Sequence, residues 1–87
     1  MSEAPQSISA SEPYLGYDIA YRLIGPIDSN PHDPSDSATH FRASVTLFYQ
    51  GQQVEGTLEH LHENFVDADA AKAAALSKGR VIVGQRR

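Results

Sequence analysis

The segment from Phe41 to Gln50 limits the fold more tightly than any other: Phe41, Ala43, Val45, Leu47 and Tyr49 share one parity, with Arg42, Ser44, Thr46 and Gln50 between them. Successive side chains of a strand point to opposite faces, so this phase demands a β-strand with one face on a core. Phe48 is the large apolar group on the polar parity. Tyr17, Ile19, Tyr21 and Leu23 repeat the pattern against Asp18 and Arg22, ending at Gly25-Pro26. Gln50-Gly51-Gln52 reads as a tight turn, because Gly51 readily takes a positive φ, and it folds Val54, Gly56 and Leu58 back as a hairpin, with Leu58 expected in the main core beside Tyr21, Val45 and Leu47. Leu58 and Leu61 are three apart, which a regular strand cannot place on one face, so a bulge is expected near Glu59–His60.

A helix should follow. Asp67 suits an N-cap, Asp69 adds negative charge to the first turn, and Ala70 to Leu76 are strong helix formers. Gly79 stands where a left-handed C-terminal cap is expected, so the helix is predicted over about 68–78. Its buried face would be Ala71, Ala74, Ala75 and the stem of Lys78, or else Ala70, Ala73 and Ser77; either set is small and requires close approach to the sheet. Arg80-Val81-Ile82-Val83 then reads as a short last strand. The expected fold is α+β: an antiparallel three-stranded β-meander packed on one C-terminal α-helix, with a short final strand.

Two stretches read as irregular. Residues 1–13 are rich in Ser, Pro and Ala with Ile8 as their sizeable apolar side chain, so ordering them costs more entropy than burial returns; a disordered, dispensable tail is expected. Residues 26–40 hold Pro26, Pro31 and Pro34 among Asp and Ser and read as a long solvated loop. One small domain over residues 14–85 remains.

The whole chain has 87 residues. A chain of this size buries only about 60% of the surface its unfolded form exposes, which leaves no slack for a deep cleft. With no cysteine, disulfides, thiolate metal sites and thiol nucleophiles are excluded. No apolar run is long enough to span a bilayer and residues 1–13 do not resemble a signal peptide, so the expected compartment is the cytoplasm, with no membrane partner. Seven Lys and Arg against eleven Asp and Glu give a formal charge of −4, which repels phosphate backbones; no nucleic-acid partner is expected.

The candidate chemistry is sparse. His60 and His62 lie at i and i+2, the spacing that places two imidazoles on one face of a strand, and they form the candidate metal pair. Asp28, Asn30, Asp33 and Asp36 lack the central glycine and closing glutamate of a calcium loop. No serine is framed by the glycines of a nucleophile elbow, and the acidic helix start repels anions, so no catalytic residue, enzyme activity or cofactor is expected. A β-meander followed by a helix invites comparison with double-stranded-RNA-binding domains, but Val66-Asp67-Ala68-Asp69 stands where such a domain carries basic residues. Ile24, Phe48 and Ile82, with Ala20, fall on the parity opposite the main core face. They form the candidate interaction surface for a second copy of the chain or another protein.

The segment Phe65-Val66-Asp67-Ala68-Asp69-Ala70-Ala71-Lys72-Ala73-Ala74-Ala75-Leu76 resembles the helix opening of many small uncharacterised bacterial proteins, in which a strand ends in Phe, a polar residue caps the helix and alanines line it. That resemblance, loosely over residues 41–83, implies a β-meander packed on one helix and implies no activity. The sequence therefore predicts a non-catalytic protein-interaction domain that self-associates, with a small metal- or ligand-binding protein centred on His60 and His62 as the alternative.

Overall fold

The computed structural model describes residues 6–33, 35 and 37–86. It is an α+β fold in which an antiparallel sheet carries one C-terminal helix on one face. The strands are β1 (Gln6–Tyr14), β2 (Tyr17–Asp28), β3 (Thr39–Tyr49), β4 (Gln52–Gln53) and β5 (Glu59–Phe65), followed by α1 (Ala68–Gln85). β1, β2 and β3 are sequential neighbours, and β3 pairs on its other side first with β4 and then with β5.

β1 corrects the expectation of a disordered tail. Gln6–Tyr14 pairs with β2 along its whole length, from Gln6 opposite Gly25 to Tyr14 opposite Tyr17. The hairpin is closed by Leu15 (φ 51°) and Gly16 (φ 87°), the two positive φ values of a type I′ turn, whose twist suits antiparallel strands. What orders β1 is therefore the backbone ladder and this turn, not buried apolar area, since only Glu12 and Tyr14 of the strand escape full exposure. Residues 1–5 lie outside the described residues.

The loop expected over 26–40 is shorter than its composition suggests. Ile27 pairs with His40 and Asp28 with Thr39, beyond a register shift between Ile24 and Ile27, where the Gly25-Pro26 peptide is cis. Ser29 N then donates to Ala38 O at 2.9 Å. Pro belongs at such an irregularity because it has no N–H for the ladder.

Gln50 (φ 52°) and Gly51 (φ 84°) form the expected tight turn. The returning strand, however, breaks after two residues, because Thr57 takes over the ladder. Its hydroxyl donates to Val54 O (2.7 Å) and accepts from Leu47 N (3.0 Å). With that proton committed, Thr46 Oγ1 is the donor in the 3.0 Å contact between the two hydroxyls. Thr57 is 1% exposed, whereas Leu58, expected in the core, is 54% exposed. The irregularity of β5 falls later than expected: Ala43 pairs with Leu61 but Phe41 with Phe65, so residues 62–64 form the bulge.

The core lies between the sheet and α1. Ile19, Tyr21 and Leu23 of β2 and Ala43, Val45 and Leu47 of β3 supply the sheet side. Ala71, Ala75, Leu76, Gly79, Ile82 and Val83 supply the helix side at helical spacing. Asp67 caps the helix, its carboxylate accepting from Ala70 N at 2.8 Å. The expected stop at Gly79 and the expected last strand are both overturned, because the helix runs on for 18 residues to Gln85. Gly79 is interior because a Cβ there would collide with the Ile19 side chain. Ile82, expected on the open surface, is buried against the sheet at 7% exposure.

Candidate functional site

α1 lies over β2 and β3 and touches β5 at the sheet's edge. Among the described residues, two surfaces are left without cover: the opposite sheet face, and the outer edge of β1.

The open face is laid out in rows that cross the strands. One row is Ser9–Arg22–Ser44–His60 over β1, β2, β3 and β5. The row on one side is Ser7–Ile24–Arg42, and on the other Ser11–Ala20–Thr46. Arg22 and Arg42 are therefore diagonal neighbours on one face, close enough to repel. In the rows from Asp18 to Ile24, Asp18 is the one carboxylate on this face; it lies opposite Phe48, about 13 Å along the strands from Arg22. Arg22 Nε donates to Ser7 Oγ at 2.6 Å, which pins the side chain and leaves its terminal N–H groups to point elsewhere. Arg42 Nε is enclosed and has no hydrogen-bond partner among the described residues.

Two depressions flank the central row. One, of about 170 Å³, is lined by Arg22, Ile24, Arg42, Ser44 and His60. The other, of about 340 Å³, shares Arg22, Ser44 and His60 and adds Ala20, Thr46 and Leu58. The first is the basic end and the second is floored largely by carbon.

The outer edge of β1 follows from its turn. A two-residue type I′ turn closes on a hydrogen-bonded pair, so Tyr14 and Tyr17 exchange both backbone bonds, and bonded pairs recur every second residue. Gln6, Ile8, Ala10 and Glu12 therefore bond to β2, while Ser7, Ser9, Ser11 and Pro13 turn their backbone groups outward. Pro13, which has no N–H, falls on an outward position, where an edge strand accommodates it. The same logic at Tyr49–Gln52 turns Leu47 toward β4, and Leu47 O does accept from Val54 N at 2.9 Å. The other sheet edge, β5, is guarded by its bulge and by Glu59, His60, His62 and Glu63. β1 carries one formal charge, Glu12, and that residue leans toward Lys72 of α1 at 3.8 Å.

The residues singled out from the sequence meet only in part. Ile24 and Phe48 do share the open face, but Ile24 pairs with Arg42 and Phe48 with Asp18, so they lie at opposite ends of it. Ile82 is on the other side of the sheet, in the core. His60 stands on the open face opposite Ser44, whereas His62 lies in the bulge. Among the described residues, no group of three or more His, Cys, Asp and Glu side chains is gathered to hold a metal ion. Sequence reasoning missed the Arg22–Arg42 diagonal, although both residues hold the polar parity of the two clearest strands. It also missed the outer edge of β1, whose signal was Leu15-Gly16 between two tyrosines.

In the acidic connection between β2 and β3, Asp33 accepts from Ser35 Oγ (2.6 Å) and Ser35 N (3.0 Å). These bonds hold its carboxyl below the usual aspartate value. The pair forms a local turn. No helix among the described residues is long and apolar enough to cross a membrane. No protein family, no curated protein and no solved structure matches this chain.

Proposed function

We propose that this chain is a non-catalytic protein-interaction domain that self-associates through β1, edge to edge, with a second copy of itself. The observation that carries it is a nine-residue edge strand whose outward backbone groups have no strand beyond them among the described residues. Such an edge is a template for another strand.

β1 is self-complementary when Ser9 faces Ser9 of the second copy and Ser7 faces its Ser11. All three outward residues that possess an N–H then form full pairs, and Pro13 stays outside the ladder. On the helix side of the sheet this register sets Ile8 opposite Ala10 of the second copy. Ile8 is 46% exposed in the single chain. The two-fold axis is normal to the sheet, so the pair is isologous and closed.

The test is solution mass by sedimentation equilibrium on the whole chain at about 100 μM, where a micromolar Kd, about −8 kcal/mol, keeps most chains paired. A dimer is expected for the wild type. Ser9→Pro removes an outward N–H and nothing from the β1–β2 ladder, so it should give a monomer whose unfolding midpoint matches the wild type's when both are diluted well below the dimer Kd, and falls below it at about 100 μM, where pairing stabilises only the wild type. A wild-type monomer at that concentration, or a Ser9→Pro dimer, would contradict the proposal.

A further inference from the structure

The structure assigns the Arg22–Arg42–Ser44–His60 depression, with its apolar neighbour over Ala20 and Leu58, to a partner protein's extended acidic segment that carries a carboxylate two residues before a large apolar side chain. The site lies on the open face and reaches Ser9 and Ala10 of β1 at its apolar end, but it uses side chains of that face and not the outward backbone groups that would pair with a second copy.

Three observations converge on an anion. The first is the diagonal pair of arginines. Like charges at that separation on one sheet face are unfavourable, and no carboxylate of the neighbouring rows lies between them. In a chain of net charge −4 with seven Lys and Arg, juxtaposing two of them without a counter-charge needs a reason. The second is Arg42 Nε, enclosed without a partner although buried donors are almost always satisfied. A carboxylate set against a guanidinium accepts two parallel N–H bonds, and Nε with one terminal nitrogen becomes such a pair of donors once the Arg42 side chain turns outward on binding, since Nε is enclosed in the free chain. The third is the setting: Ser44 and His60 add polar groups at the same depression, and Arg22 is held in place through Ser7.

The second depression makes the ligand amphipathic. Its floor of Ala20 and its wall of Leu58, which is 54% exposed, offer apolar surface to a side chain. Leu58 had no place in the core, and here it has one at the rim of a site. The two depressions lie on either side of one cross-strand row. Their separation along the strands is therefore about two residues, or ~6.6 Å, which is also the distance between alternate side chains of an extended peptide. An acidic residue at one position and an apolar one two residues later can fill both together. Both depressions are open to solvent, which suits a strand laid across a face. A small molecule normally finds a pocket that buries most of it. Charge complementarity selects the carboxylate, and spacing selects the extended peptide.

The test is fluorescence anisotropy of a labelled six-residue peptide, with glutamate two residues before leucine and serine or threonine elsewhere, titrated with the whole folded chain. The glutamate peptide should bind, and versions with glutamine for glutamate or serine for leucine should each bind about tenfold more weakly or worse. Arg42→Met and Arg22→Gln should each cause a comparable loss, while His62→Ala, in the bulge, should not. Circular dichroism separates loss of binding from loss of fold, and Arg22→Gln, at an exposed position, keeps the test decisive if Arg42→Met unfolds. The assignment is overturned if the glutamate peptide does not bind the wild type, if the glutamine peptide binds equally well, or if a single-stranded oligonucleotide binds where the peptide does not. None of these results bears on the mass measured for Ser9→Pro, so the two proposals fail separately.

Discussion

Gly79 shows how one residue can carry two meanings that only packing separates. By sequence it stands where helices commonly end; in the fold it is mid-helix and buried, facing Ile19 across the helix–sheet contact. Alanine is the better helix former by about 1 kcal/mol. The Cβ of Gly79→Ala would nevertheless collide with Ile19, a fully buried side chain with nowhere to move, so overpacking should win at about 1 to 3 kcal/mol of lost stability. Urea unfolding would show it, and a stabilised Gly79→Ala would mean that the helix does not approach the sheet at this point. Asp33 makes a different kind of prediction. Its hydrogen bonds from Ser35 favour the ionised form, so the folded value lies below the unfolded one. The contribution of this turn is therefore present above the unfolded value, about 3.9, and is lost as pH falls through the lower folded value. An NMR titration should place the Asp33 midpoint below that of an unstructured aspartate, and Ser35→Ala should return it upward.

At the scale of elements, legibility tracked the size of the apolar signal. β2, β3 and the start of α1 were plain, because each had a clean period and either a turn or a cap beside it. Tyr21, Val45 and Leu47 all lie in the core, as their parity requires. β1 was illegible for a physical reason: its stability comes from backbone pairing to β2 and from the Leu15-Gly16 turn, and a polar Ser-rich strand shows no hydrophobic period. The C-terminal half of α1 was misread because Arg80-Val81-Ile82-Val83 favours a strand locally, and the tertiary contacts of Ile82 and Val83 override that preference. Leu58 was misplaced because Thr57, a polar residue, fills the inward position through three hydrogen bonds. The open-face site was half legible: its arginines and His60 were visible on polar parities, but their adjacency depends on strand order and register. Deleting residues 1–13 tests β1 directly. It removes most of the β1–β2 pairing and the Glu12–Lys72 contact, so the thermal midpoint should fall by several degrees, at roughly 4 to 8 °C per kcal/mol for a domain of this size. A change within about 2 °C would show β1 to be dispensable.

The whole molecule is long and narrow, 48 × 20 × 20 Å, with α1 on one face and both unoccupied surfaces elsewhere. Pairing β1 with a second copy would place both helices on one side and both open faces on the other. The row Ser9–Arg22–Ser44–His60 would continue through the two-fold axis into the same row of the second copy. The two arginine sites would then lie about three strand spacings apart, roughly 14 Å, beyond the screening length of about 8 Å at physiological salt, so their mutual repulsion is small. A dimer of this kind would offer two acidic-segment sites side by side, and a partner with two such segments would gain affinity from their linkage. The most direct measurement is amide hydrogen exchange along β1 at low and high protein concentration. Ile8, Ala10 and Glu12, bonded to β2, should be protected at both. Ser7, Ser9 and Ser11 should exchange freely when dilute and become protected as concentration rises through the dimer Kd. Serine amides that exchange freely at every concentration, beside a protected Ala10, would contradict self-association through this edge.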